Sequence, residues 1–148
     1  MNQFFMHPAI EYRVKLLVSL KNNLIGNGLT MMQKYIGIDL GGTKIKAGIV
    51  DLDSGVVDAS KSIPTMAREG HDAVMQRMAD VALQVIDEAK LSRGDIGGVG
   101  IGIPGVLDLE KGETLFLPNL PGTWPNIPVR STISDKTGFP VSSFVLPE

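Results

Sequence analysis

The run Asp39-Leu40-Gly41-Gly42-Thr43-Lys44 sets two adjacent glycines between a carboxylate on one side and a hydroxyl and an amine on the other. Neither glycine carries a Cβ, so a chain of phosphates can approach the backbone, and successive N–H groups in a tight turn can converge on its oxygens. Thr43 adds a hydroxyl donor and Lys44 a positive charge. Asp39 suits a hydrated Mg2+ held against the same phosphates, because that ion takes one or two carboxylates and keeps several waters. Asp39, Gly41, Gly42, Thr43 and Lys44 are therefore candidate ligands of a magnesium-nucleotide, with Asp39 the candidate metal ligand. An ordinary Gly-Gly hairpin with polar flanks would use the same residues, and the motif alone does not separate the two readings. Its spacing is not that of a Walker loop.

A second run, Gly100-Ile101-Gly102-Ile103-Pro104-Gly105, satisfies the G-x-G-x-x-G pattern of dinucleotide-binding folds. That fingerprint needs a helix opening directly after the glycines and an acidic residue about twenty positions on. Pro104 and a hairpin signal follow here instead. The run reads better as the carboxyl end of a buried parallel strand, where open sheets bind ligands and where Gly102 and Gly105 allow close approach.

Both runs need strands to carry them. Tyr35 to Asp39 and Ile45 to Asp51 read as a hairpin about Gly41-Gly42, and Asp53-Ser54-Gly55 as the turn into a third strand, Val56 to Ile63, ended by Pro64. From Gly70 to Lys90 the period changes: Val74, Met75, Met78, Val81, Ala82, Val85, Ile86 and Ala89 form the apolar stripe of a helix lying on a sheet. Ile96 to Ile103 contains no charge and reads as a parallel strand buried on both faces, which makes the preceding helix a crossover. A hairpin from Leu107 to Leu117, a proline-rich loop from Pro118 to Pro128 and a short helix ending at Gly138 follow, and Phe139-Pro140-Val141 opens a further segment.

Bulk properties narrow the function classes. The 148 residues suffice for one folded domain, and 43% hydrophobic with 20% charged residues is the composition of a globular chain. A net charge of −2 without a basic run argues against nucleic acid as a partner. Cysteine is absent, which removes disulfides, thiolate metal sites and a cysteine nucleophile and fits a cytoplasmic setting. Residues 1–33 read as a leader: the apolar run Leu16 to Leu20 is too short to span a bilayer, and no signal-peptide pattern follows it. Ile10, Val14, Leu17, Leu20 and Leu24 fit a short amphipathic helix before Gly26, or the leader has no fixed structure and Met31 or Met32 marks the start.

Three ordered segments carry a resemblance. Ile36 to Lys44 is similar to the phosphate segment of ROK (repressor, open reading frame, kinase) sugar kinases, a family that includes many bacterial glucokinases. Gly100 to Asp108 resembles that family's sugar-side loop, and Leu117 to Trp124 its Asn-Leu segment before a tryptophan. The resemblance covers about Lys34 to Val141, essentially the N-terminal domain of such a kinase. It implies an α/β fold of the actin-like, ribonuclease-H-like ATPase type: a three-strand antiparallel meander, a crossover helix and a parallel strand. It also implies phosphoryl transfer from ATP, with Mg2+, to a hexose, with Gly105 offering a backbone contact and Asn119 a side-chain contact to the sugar. Asn119 could equally cap a turn, Trp124 anchor a loop, and Asp108 start the hairpin turn. His7 and His71 receive no role.

The match stops where the family continues into the aspartate that accepts the sugar proton. Residues 142–148 read as a divergent end, and Asp135 falls in the short helix. The expectation is therefore the N-terminal part of a glucokinase-like enzyme, truncated before its catalytic aspartate motif, inactive alone and liable to self-associate through an exposed apolar face. Two alternatives are a ROK-type transcriptional regulator or sugar sensor, for which the leader is too short to hold a helix-turn-helix, and a nonenzymatic actin-like nucleotide-binding domain.

Overall fold

The structure is a computed structural model that describes residues 34–51 and 57–145. The leader and the Asp53-Ser54-Gly55 turn lie outside the described residues. Strands β1 (Lys34–Leu40) and β2 (Lys44–Asp51) pair antiparallel, and β3 (Val57–Pro64) adds to β2. Helix α1 (His71–Glu88) crosses over to β4 (Ile96–Ile103), which pairs parallel with β1. A two-stranded ribbon, β5 (Val106–Asp108) with β6 (Glu113–Phe116), is followed by α2 (Val129–Thr137) and by β7 (Val141–Val145), parallel to β4. The sheet order is β3-β2-β1-β4-β7. The structure thus has the meander, crossover helix and parallel strand expected of the α/β fold.

Position in the sheet explains each strand's residues. Central β1 buries Tyr35 through Ile38 and β4 buries nearly all of its length, which is why apolar residues and glycines run there without polar alternation. β2 alternates only in its first half, exposing Lys44 and Lys46 and burying Ile45 and Ala47, while Gly48, Ile49 and Val50 are all buried. Pro64 closes β3 within the strand, tolerated because β3 is an edge. β7 incorporates Ser142 to Val145, part of the end set apart in the sequence, in register with Gly100 to Ile103.

α1 lays Val74, Met78, Val81, Ala82 and Val85 on β1, β2 and β3, and its side meets α2, which also packs on β7. The helix stops just inside the expected span of Gly70 to Lys90 because the backbone turns at both ends: Gly70 stands at φ +96° and Lys90 at φ +56°. One core cluster runs from β1 to Phe139 and includes Leu117, Leu120 and Trp124 of the proline-rich loop. Among the described residues, no helix is long and apolar enough to cross a membrane.

Candidate functional site

Parallel pairing of β1 with β4 sets Asp39 beside Gly102, so the chain leaves both strands at one edge of the sheet. The Gly41–Lys44 turn follows β1 there and the Pro104-Gly105 bend follows β4. This is the carboxyl-end position at which open sheets bind ligands.

The turn is closed by Gly41 N–H donating to Lys44 O at 2.9 Å. A Cβ on Gly41 would stand 2.7 Å from that same carbonyl oxygen, so the glycine is needed to close the turn. A Cβ on Gly42 would stand 3.0 Å from the backbone oxygen of Asn119. The turn and the proline-rich loop therefore touch, although about seventy-five residues separate them in sequence. Thr43, Lys44 and Asn119 are exposed at this edge, while Asp39, Gly41, Gly42 and Gly105 are half-buried.

Gly105 has its own reason for being glycine. A Cβ there would fall 2.4 Å from Phe116 O and 2.6 Å from Leu117 Cδ2, so the bend lies flat against the end of β6. Leu117 begins the loop that carries Asn119, and Leu117 N–H donates to Thr123 O at 2.8 Å, closing that loop on itself. Asp39, the turn, Gly105 and Asn119 thus gather at one edge.

The remaining residues weighed in the sequence find structural posts. Asp108 starts the ribbon turn, accepting from Lys111 N–H at 3.0 Å through Oδ1 and from Gly112 N–H at 2.8 Å through its carbonyl. Trp124 is 2% exposed and anchors the loop, its carbonyl taking the Thr114 hydroxyl. His71, first residue of α1, meets the Trp124 ring edge-to-face at 6.1 Å, so it steadies the loop as well as opening the helix. Its Nδ1 lies 3.1 Å from the Asp72 carboxylate, outside hydrogen-bonding geometry.

Two residues that no local pattern marks out hold the turn in place. Thr65, fully buried just after β3, donates its hydroxyl to Gly41 O at 2.8 Å and its N–H to Thr43 O at 2.9 Å. Arg77 of α1 donates to Thr65 O at 2.9 Å and forms an ion pair with Glu69. A hydroxyl after an Ile-Pro pair gives no local signal, since its partners lie over twenty residues back in the chain.

Among the described residues, no cluster of three or more His, Cys, Asp or Glu is arranged to hold a metal ion. The donor set therefore does not fit a metal caged by protein alone. One half-buried carboxylate beside the glycine turn fits Mg2+ that takes most of its ligands from phosphate and water.

Residues 35–143 match the model of the ROK family. The chain belongs to the ROK family. It is 36% identical over 105 residues to a glucokinase of Thermotoga maritima, covering 71% of this chain and 31% of that protein. It is 39% identical over 101 residues to an N-acetyl-D-glucosamine kinase of Escherichia coli, covering 68% and 30%. A crystal structure of a ROK family glucokinase from Streptomyces griseus in complex with glucose and AMPPNP superposes with a TM-score of 0.64 at 26% identity, covering 74% of this chain and 32% of that one. The chain spans about a third of the length of the relatives it matches. ROK sugar-kinase homology thus covers both glycine runs and the loop that holds Asn119.

Proposed function

We propose that these residues form the nucleotide-phosphate and sugar-facing part of an ATP-dependent hexose kinase of the ROK family. The observation that carries this is the contact of Gly42 with Asn119 at the edge where β1 and β4 end. It makes one site out of the two groups that a sugar kinase must bring together, a phosphate cradle and a hydroxyl-recognising loop. Phosphoryl transfer depends on positioning, charge neutralisation and an aligned hydroxyl more than on covalent chemistry. The amides of Gly42 and Thr43, the Thr43 hydroxyl and Lys44 hold the polyphosphate. Asp39 holds hydrated Mg2+, which when bound neutralises phosphate charge. Gly105 and Asn119 face the sugar. The glucose and AMPPNP carried by the Streptomyces griseus relative support ATP and a hexose as the ligand classes. A cytoplasmic setting, where ATP is supplied, belongs to the same proposal.

Proton removal is not assigned to these residues. Asp108 is committed to the ribbon turn and Asp135 lies in α2. The expected behaviour of the 148-residue chain is binding without turnover. Magnesium-ATP at saturating concentration raises its melting temperature, as a ligand of the folded state must. Coupled ADP release with glucose or N-acetylglucosamine stays at background. An unchanged melting temperature with ATP removes the reading, and robust ADP release removes its restriction to binding.

A further inference from the structure

We infer that Thr65 is a positioning residue that polarises the Gly41–Lys44 turn toward phosphate, by tying up the carbonyl groups that would otherwise face the ligand. This rests on the proposed reading of the turn as the polyphosphate site. A tight turn presents carbonyl oxygens as readily as amides, and a carbonyl dipole turned toward a polyanion opposes binding as strongly as an N–H favours it. Here the carbonyls of Gly41 and Thr43 are both taken by one residue: Gly41 O accepts the Thr65 hydroxyl at 2.8 Å and Thr43 O accepts the Thr65 N–H at 2.9 Å. Gly41 N–H is spent on Lys44 O at 2.9 Å. Among the described residues, no hydrogen bond uses the amides of Gly42 and Thr43. The turn therefore keeps the Gly42 and Thr43 donors for a ligand and commits the Gly41 and Thr43 acceptors to the protein.

The latch is itself fixed. Thr65 is fully buried, and its own carbonyl accepts from Arg77 Nη1 at 2.9 Å. The Arg77 ion pair with Glu69 holds that guanidinium over the 3-10 turn Ala67–Glu69, so α1 sets where Thr65 stands. Removing only the hydroxyl leaves Gly41 O without its side-chain partner and free to swing to the ligand side, while the Thr65 N–H still holds Thr43 O. The consequence is electrostatic and scales with the charge brought to the turn.

The test is calorimetric titration of the full 148-residue chain with magnesium-ATP, magnesium-ADP and AMP. Thr65→Val is expected to weaken ATP binding about fivefold, the effect of losing one part-buried hydrogen bond, with progressively smaller losses for ADP and AMP. Thr65→Ser, which keeps the hydroxyl, returns ATP affinity to within about twofold of the unaltered chain. Thr137→Val, at another buried threonine on the far end of α2, leaves all three affinities unchanged. Equal weakening for all three nucleotides, or Thr65→Ser as weak as Thr65→Val, overturns the inference and leaves Thr65 a structural residue. Should Thr65→Val not fold, Arg77→Gln, which loosens Thr65 and spares its hydroxyl, must still show a loss graded by phosphate number; ungraded or absent loss overturns it as well. If the unaltered chain binds no ATP, the function proposed for the turn fails and this inference fails with it. Normal ATP binding by the unaltered chain with unchanged binding by Thr65→Val sinks the inference alone.

Discussion

The two ends of the parallel pair β1 and β4 are built to opposite purposes. At the end where both strands finish, no hydrogen bond among the described residues uses the Gly42 and Thr43 amides, and apolar side chains stand in solvent: Val106, Leu109, Leu115 and Phe116 of the ribbon are 42–56% exposed. At the end where β4 begins, side chains consume the backbone groups. Ser92 N–H and hydroxyl both donate to Asp95, Arg93 donates to the last carbonyl of α2 and lies 4.6 Å over the Phe139 ring, and Ser134 donates to Phe139 O. Satisfied groups stabilise the fold, and groups held in reserve are where a ligand can bind.

Glycines give the sharpest way to break this contrast, because each end has one with a bulky neighbour. Gly105→Ala places a methyl 2.4 Å from a backbone oxygen of β6, which only a shift of the ribbon relieves. Gly138→Ala places one 2.5 Å from Arg93 Nη2, the free end of a flexible side chain, at φ +78°. The expected losses on urea unfolding are about 3 kcal/mol for Gly105→Ala and about 1 kcal/mol for Gly138→Ala. Equal losses, or the reverse order, would show that the bend after β4 is not pressed tightly against the ribbon.

The same contrast explains what could be read in advance. The strands, the crossover helix and the two glycine runs announce themselves through local patterns: a charge-free Ile-Gly-Gly-Val run for β4, a three-and-four stripe for α1. Gly41 and Gly42 were legible as candidates, but what constrains them is close contact, Gly41 with Lys44 O and Gly42, less severely, with Asn119 O, and the second of these is long-range. Thr65, Arg77 and Arg93 were not legible, because each acts through hydrogen bonds to carbonyls of other segments and nothing periodic marks such a residue. Trp124 could be read as an anchor from its type, while its partner His71 could not, since the prolines between β6 and α2 carry no repeat that fixes where the loop lies.

Arg93→Ala sharpens the comparison from the stabilising side. It removes the donor to Thr137 O and the cation over Phe139, and it should lower stability by about 1 to 2 kcal/mol, because that carbonyl terminates a helix and the ring contact is partly desolvated. The rise in melting temperature produced by magnesium-ATP should stay the same size as in the unaltered chain. A diminished rise would mean that the two ends are coupled through β4, and the separation of purposes would be lost.

The smallest effect belongs to Asp95, and it has a sign that can be checked. Hydrogen bonds from the Ser92 amide, then from its hydroxyl, with the Lys34 charge adding a lesser pull, hold the Asp95 carboxyl below its ordinary range. A carboxyl whose folded value is depressed contributes stability that is present above the unfolded value and fades as pH falls through the folded one. Asp95→Asn should therefore melt slightly below the unaltered chain at neutral pH, and the two melting curves should converge as the buffer is taken down through the carboxylate range. The group is solvent-exposed, so the gap is small and shrinks in high salt only for the part owed to Lys34. A gap that persists unchanged into acid would mean the Ser92 to Asp95 cap acts through shape alone, since an asparagine lacks the charge that protonation would otherwise remove.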